Sequence, residues 1–398
     1  MSNHVPTNDP ATPVIEKQSG AVAVGEADRL GTNRERLPPT QLDDRRTWRH
    51  RARRWSAKLA EAGKIDRRGA AICYTAADEY VTVAVHDIGN SRVRNVKRCG
   101  SPWACACCSP TIGEQRATEA DEAIRANLDR GGSAVFVTVT MPHGASMPLD
   151  LTLGAVQTAW SKTWSGRSAK TFKQDTAMIG SLRVVEITHS ETNGWHPHIH
   201  AVLLFDGQVK SEVVKEWIGP RWRKHVKAQG FRTPSKQHGI DCRKVTTGSK
   251  SLGNYLTKVE GAAAESWTAG RELVRTDLKK AHWKGSSTWE ILSRAVAGEE
   301  RATELWTEYE AATKGRRRVV TSPGLRDQLD LDKEQTDEEA AVETTEAEAI
   351  QLVLVPAIIW QRWDQQGLTG VLIATIELEV LTGALIGGVF HERPTSPN

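Results

Sequence analysis

Hydrophobic and polar positions alternate with period two in several stretches, the pattern of strands that bury one face. AVFVTVTM at 134–141 is a β-branched run stopped by Pro142 and Gly144. SLRVVEITHS (181–190) and WHPHIHAVLLF (195–205) flank the turn sequence ETNG, which predicts a hairpin bending near 192–193. Residues 70–98 alternate more briefly, in YVTVAV and SRVRNVK, and predict further strands leading into a cysteine cluster. Helical spacing appears near 150–165, over 211–228, over 249–260 and from 287 to 313. In 249–260, Leu252, Tyr255, Leu256 and Val259 fall at i, i+3, i+4 and i+7, so the tyrosine belongs to the apolar stripe.

Outside this region the pattern weakens. Residues 1–44 are rich in Pro, Thr, Asn, Asp and Gly without an apolar period, and read as a disordered leader. The start also lacks the basic and apolar runs of a secretory signal. DKEQTDEEAAVETTEAEA at 332–349 reads as an acidic linker or exposed helix. Residues 350–390 are strongly apolar, and LTGVLIATIELEVLTGALIGGVF is long enough to span a bilayer. Glu377 and Glu379 lie near its middle with no evident basic partner, and carboxylates are costly in lipid. The segment therefore reads as a packing or self-association element, with no membrane expected and a membrane helix as the lesser alternative. The expected divisions are a leader (1–44), a basic and cysteine-rich region (45–130), a central region (131–318), an acidic linker (319–349) and an apolar element (350–398).

A chain of 398 residues with 39% hydrophobic and 26% charged positions can bury more than one core. Its six cysteines are too few for a disulfide scaffold, and four crowd into Cys99–Cys108. That usage suits a reducing, cytoplasmic compartment with thiolates available to metal. The formal charge is +4, yet residues 331–398 contain twelve acidic and three basic side chains. The preceding body is thus far more basic than the total indicates. Nucleic acid is a natural partner for such a body, because each neutralised phosphate releases counterions. A solvated charged surface is the plainer alternative.

Three clusters carry candidate chemistry. The run RRTWRHRARRWSAK at 45–58 sets Arg45, Arg46, Arg49, Arg51, Arg53 and Arg54 beside Trp48 and Trp55. These arginines are candidate DNA contacts; the competing reading is a basic helix docked through its tryptophans. In CGSPWACACC, Cys105 and Cys108 have zinc-knuckle spacing and follow Cys99, with Cys107 between; Cys73 or His86 could complete the site. Buried free thiols are the alternative. On a strand, His196, His198 and His200 share one face. Imidazole nitrogens suit Mn, Co, Ni and Zn. With the turn at 192–193, position 186 falls opposite roughly 199, which carries Glu186 close to His198 and His200. Two histidines and a carboxylate leave coordination positions open, as metal-assisted phosphate chemistry requires.

HPHIHAVL at 196–203 resembles the histidine–hydrophobic–histidine signature of HUH endonucleases, especially rolling-circle plasmid replication initiators. FVTVTMPH at 136–143 is similar to that family's first motif, a threonine-rich strand ending in Pro-His. YLTK at 255–258 is similar to its third, in which a tyrosine and a lysine lie one helical turn apart. The motifs come in the family's order across residues 95–262, and Trp103-x-Cys105-x-x-Cys108 resembles actinobacterial-type initiators. The resemblance implies an α+β fold: a largely antiparallel sheet of about five strands with helices on one face, the HxH strand central and the tyrosine helix above it. It also implies a site-specific single-strand DNA nickase and strand transferase that uses Mn²⁺ or Mg²⁺ at His198, His200 and Glu186. His196 and His143 would then support the metal ligands or touch DNA.

A phenol titrates near pH 10, so Tyr255 needs help to act as a nucleophile. Lys258, at i+3, lies near the same helix face, where its ammonium could stabilise a phenolate or the scissile phosphate. Attack would give a 5′-phosphotyrosyl link and a free 3′-OH. Of the four tyrosines only Tyr309, in a charged helix, is a serious rival. The single tyrosine resembles the one-tyrosine branch, but Ser251 stands where some relatives place a glutamate, and Glu260 falls off the tyrosine's face. The implied partners are plasmid origin DNA, single-stranded or extruded as a hairpin, with host helicase and polymerase. Three rivals remain: an HUH transposase or relaxase, a histidine-triad nucleotide hydrolase (whose pattern Pro197 breaks), and a non-catalytic DNA-binding regulator.

Overall fold

The computed structural model describes residues 39–66, 68–86, 91–245, 274, 285–342, 349, 351–385 and 388–390. Helices α1 (Pro39–Glu61) and α2 (Arg68–Ile72) lead into strands β1 (Tyr80–Val85) and β2 (Arg92–Arg94), and α3 (Cys108–Asp129) starts inside the cysteine cluster. The central region runs β3 (Ser133–Val139), α4 (Leu149–Thr163), α5 (Arg167–Asp175), β4 (Met178–Ser190), β5 (Gly194–Phe205), α6 (Ser211–Ala228) and β6 (Ile240–Val245). It resumes with β7 (Gly285–Ser287), α7 (Thr288–Val296), α8 (Glu300–Thr313) and β8 (Val319–Thr321). Short helices α9 (Leu325–Gln328) and α10 (Asp337–Ala340) precede β9 (Gln351–Pro356), α11 (Ala357–Gln365), α12 (Thr369–Leu381) and β10 (Gly388–Val389). The expected helix over 249–260, with Tyr255, Lys258, Ser251 and Glu260, lies outside the described residues, as does the leader up to residue 38. Within the expected leader, α1 begins at Pro39, where the missing N–H and fixed φ of proline suit a first helical turn.

The larger sheet is antiparallel and six-stranded, in the order β6-β3-β5-β4, with β7 and β8 both pairing along the far edge of β4. Alternation sends Val135, Val137, Ile199, Ala201, Leu203 and Val185 to one face, under α4 and α6. There they meet Leu153, Val156, Ile218 and Trp222. Burying a side chain such as Ile199 or Leu203, both 0% exposed, contributes about 1.5–3 kcal/mol each. The opposite face is also covered, which departs from the one-sided packing expected. Ala117, Ala120 and Ala123 of α3 let that helix lie close over Ala134, Phe136, Leu182, Val184, Val202 and Leu204. Along β5 this apolar face gives way to polar residues at His200, His198 and His196.

The apolar C-terminal segment does not stand apart. Strand β9 inserts beside β1, in a four-stranded sheet of order β10-β9-β1-β2, so segments 45–130 and 350–398 share a sheet and a core. Val81, Val83, Val353, Val355, Leu372 and Ile376 fill that core. Glu377, expected to lack a basic partner, is paired with Arg46 of α1 at 2.8 Å and accepts the Ser91 backbone N–H at 3.1 Å. Among the described residues no helix is long and apolar enough to cross a membrane. Between the two cores the cysteine segment alternates: Trp103, Ala104 and Ala106 join the larger core, while Cys105, Cys107 and Cys108 join the smaller.

Candidate metal centre and thiol cluster

Strands β4 and β5 are joined by the three residues 191–193, and Ser190 pairs with Gly194. Gly194 has φ +69°, and a Cβ there would stand 2.5 Å from the Ala145 carbonyl oxygen, so the turn requires glycine. The three-residue loop shifts the register by one from the expected pairing. Glu186 lies opposite His198, not 199, and therefore shares its face directly. His200 Nε2 is 3.0 Å and His198 Nε2 3.4 Å from the same Glu186 carboxylate oxygen.

The far side of each imidazole is also held. His200 Nδ1 is 2.9 Å from Thr138 Oγ1 on β3, and His198 Nδ1 is 3.3 Å from the His196 carbonyl oxygen. A carbonyl only accepts, so this contact is a hydrogen bond when the proton sits on His198 Nδ1, and in the neutral ring that leaves the Nε2 lone pair facing Glu186. In that tautomer the Nε2 lone pair and the carboxylate, 3.4 Å apart, offer two donors to a single cation. Glu186, His198 and His200 form a group whose donor atoms all lie within 4.8 Å of one another. Thr138 was not singled out from the sequence, although it stands inside the threonine-rich first motif.

His143 and His196 pack together beside this triad, with Nε2 and Nδ1 2.6 Å apart. Burial, then the neighbouring His198 and His143, lowers the His196 pKa to about 3, and burial lowers that of His143 too. Both rings are neutral near pH 7, one donating to the other. Tyr309 is 3% exposed, donates its hydroxyl to the Trp103 carbonyl at 3.3 Å and stacks on Trp195. It is a core residue, and its candidacy as a nucleophile falls on that burial.

The second cluster gathers Cys73, Cys99, Cys105 and Cys108, all within 4.8 Å of one another. Cys73 Sγ lies 3.7 Å from that of Cys105 and 3.6 Å from that of Cys108, and Cys99 Sγ lies 3.8 Å from that of Cys108. Four sulfurs around a tetrahedral ion at about 2.3 Å sit about 3.8 Å apart, so the spacing fits zinc. Cys73, not His86, is the fourth member. Crowding holds the Cys99 and Cys108 thiols far above the ordinary range, through hydrogen bonding to Cys105 first. A dication removes that obstacle by favouring the thiolates. Cys107 points elsewhere, and burial pushes it up to about 12.

The basic helix is engaged more than its sequence announces. Trp48, Ala52, Trp55 and Leu59, at helical spacing, pack on the larger core. Arg53 is buried, paired with Asp364 of α11 and donating to the Cys73 carbonyl at 2.5 Å. Arg46 pairs with Glu377 and Arg54 with Glu61. Arg51 is exposed, Arg49 is half-buried, and the side chain of Arg45 lies outside the described residues.

A family model described as replication protein (Rep_1) matches residues 90–368, which include Glu186, His198 and His200 and three of the four clustered cysteines, Cys99, Cys105 and Cys108. The chain is 30% identical over 320 residues to "Protein rep" of Streptomyces lividans, covering 65% of this chain and 69% of that one. It is 28% identical over 183 residues to a "Neomycin resistance protein" of Streptomyces cyanogenus, covering 35% of this chain and 42% of that one. No solved structure is significantly similar to it.

Proposed function

Because the chain belongs to the Rep_1 family of replication proteins, we propose that it starts rolling-circle replication of a plasmid by nicking and rejoining single-stranded origin DNA. The observation that carries this reading is the convergence of His198 and His200 Nε2 on the Glu186 carboxylate at the polar, largely buried end of a sheet face. Glu186, His198 and His200 would hold a divalent cation such as Mn²⁺ or Mg²⁺. When bound, the cation supplies Lewis-acid polarisation of the scissile phosphate. Thr138 and the His196 carbonyl fix the two rings so that each Nε2 faces Glu186, where the cation would sit. In this reading Tyr255 is the nucleophile: its phenolic oxygen bonds to phosphorus as the P–O3′ bond breaks. The phenol gives up its proton, and the departing O3′ takes up one proton in exchange and becomes the priming hydroxyl. Lys258 offsets the charge on the phenolate, and His143 supports His196 behind the ligands. Arg51 is the residue of α1 retained here as an origin contact, and host helicase and polymerase extend the new end.

Structural zinc at Cys73, Cys99, Cys105 and Cys108 completes the reading. It is supported by sulfur spacings of 3.6, 3.7 and 3.8 Å, close to tetrahedral edges. The nicking test is incubation with labelled single-stranded origin DNA and Mn²⁺ or Mg²⁺, read on a denaturing protein gel. The expected result is metal-dependent label on the protein that is absent from Tyr255→Phe and from His200→Ala. Label that persists in Tyr255→Phe overturns the assignment of the nucleophile; no label with any origin fragment overturns the reaction.

A further inference from the structure

A cavity of about 630 Å³ lies at the junction of α4, β4 and β8, on the sheet face opposite the metal centre. Its volume falls within the roughly 300–1,000 Å³ of small-molecule sites. Glu186 and Arg183 are three residues apart on β4, so their side chains emerge on opposite faces about 10 Å apart along the strand. Four cations line the cavity: Lys173, Arg183, Arg316 and Arg317. No carboxylate is among the lining residues. Arg316 is answered by Asp150 at 2.5 Å and Gln157 at 2.7 Å. Arg183 and Arg317 have no anionic partner among the described residues. For Arg183, half-buried on β4, burial alone depresses the pKa, the mark of a guanidinium desolvated without compensation.

Trp160 and Trp164 supply aromatic walls, and Lys173 Nζ stands 5.8 Å from the Trp164 ring centroid. The Trp164 indole N–H is buried and has no acceptor among the described residues. Ser181 and Ser322 add hydroxyls to the same wall. Unpaired guanidinium, indole faces and a donor lacking its acceptor together describe a site for something both anionic and flat. From this combination we infer that the cavity binds a nucleotide unit, its phosphate held by Arg183 and Arg317 and its base against the Trp160–Trp164 wall. The unit belongs either to the origin strand, an assignment that rests on the nicking reading, or to a free nucleotide.

The test is fluorescence anisotropy of a labelled oligothymidine of about ten nucleotides against the full chain, across a KCl series. Arg183→Met with Arg317→Ser is expected to weaken binding about tenfold or more, and to flatten the log–log salt slope by about 0.7 for each phosphate no longer neutralised. A 5-bromodeoxyuridine strand is expected to photocrosslink to the peptide carrying Trp160 or Trp164, a readout that does not depend on the variant folding. Competition by thymidine monophosphate assigns the cavity to a free nucleotide; competition by oligonucleotide alone assigns it to the strand. Unchanged affinity and slope, with crosslinks elsewhere, overturn the inference while leaving Tyr255-dependent nicking intact. Crosslinking at Trp164 in a wild-type protein that never nicks sinks the nicking reading and keeps the cavity.

Discussion

Asp364→Ala isolates what the basic helix α1 contributes. Arg53 and Asp364 are paired with side-chain exposures of 2% and 5%, so neither charge is hydrated if the other is removed. Asp364 also accepts the Thr369 hydroxyl at 3.2 Å, which ties the start of α12 to the same carboxylate. After truncation the guanidinium keeps one carbonyl partner, that of Cys73. Leaving a buried ion without its partner costs about 3–5 kcal/mol. Against a domain stability of about 5–15 kcal/mol, that is a large fraction. In urea, with a slope of roughly 2 kcal/mol/M, the midpoint of the smaller unit should fall by about 1.5–2.5 M. The assay is equilibrium unfolding followed by tryptophan fluorescence, since Trp360 is fully buried in that unit. The double change Arg53→Met with Asp364→Leu should recover most of the loss, because an apolar pair of similar volume replaces the ion pair. Added salt should change the single variant little, as the site is shielded from counterions. A midpoint shift below about 0.5 M would refute the reasoning, as would a double variant no better than the single one.

Thr138→Val keeps the volume and removes the partner of His200 Nδ1; it should weaken Mn²⁺ binding about 10–100-fold by calorimetric titration. Tyr309→Phe loses the 3.3 Å hydrogen bond to the Trp103 carbonyl, so it should cost about 0.5–1.5 kcal/mol in urea and leave the DNA–protein adduct intact. Purified protein should contain zinc by plasma mass spectrometry, reduced in Cys73→Ser and unchanged in His86→Ala. The Cys242 thiol, pushed up to about 12 by burial and then Asp241, should alkylate with iodoacetamide at pH 8 at least about 100-fold more slowly than a free thiol.

The parts of the molecule written in short-range pattern were legible. Alternation located β3, β4 and β5, and the common face of His196, His198 and His200 followed from strand geometry. Even the pairing of Glu186 was within one residue, the error arising because the loop takes three residues where a tighter turn was expected. Cys73 was named as a candidate fourth thiol although it lies well before the other three, because a closed tetrahedral site demands four ligands. Long-range partnerships were not legible. Nothing local to RRTWRHRARRWSAK announces that Arg53 and Arg46 are committed to Asp364 and Glu377, more than 300 positions later. The apolar C-terminal run gave no sign that β1 needs β9, since hydropathy records what must be buried and not against what. The coverage of the second sheet face by α3 was missed for a similar reason. Its packing surface is mostly alanine, with Ile124, and is too weakly hydrophobic to mark a helix as belonging to the core.

Pairing β1 with β9 across roughly 270 residues also fixes an order of events during synthesis. A ribosome delivers α1, β1, β2 and all four clustered thiols long before it delivers the strand and helices that close their sheet. The larger sheet, whose β3–β6 pairings are nearer in sequence, can assemble in that interval. For most of translation β1 has β2 along one edge but lacks β9 along the other, and the buried arginine of α1 lacks its carboxylate. An ion held by Cys73, Cys99, Cys105 and Cys108 would clamp the early segment on itself while it waits. Premature termination after the larger sheet would then release a chain with an open strand edge, a ready substrate for proteases and aggregation.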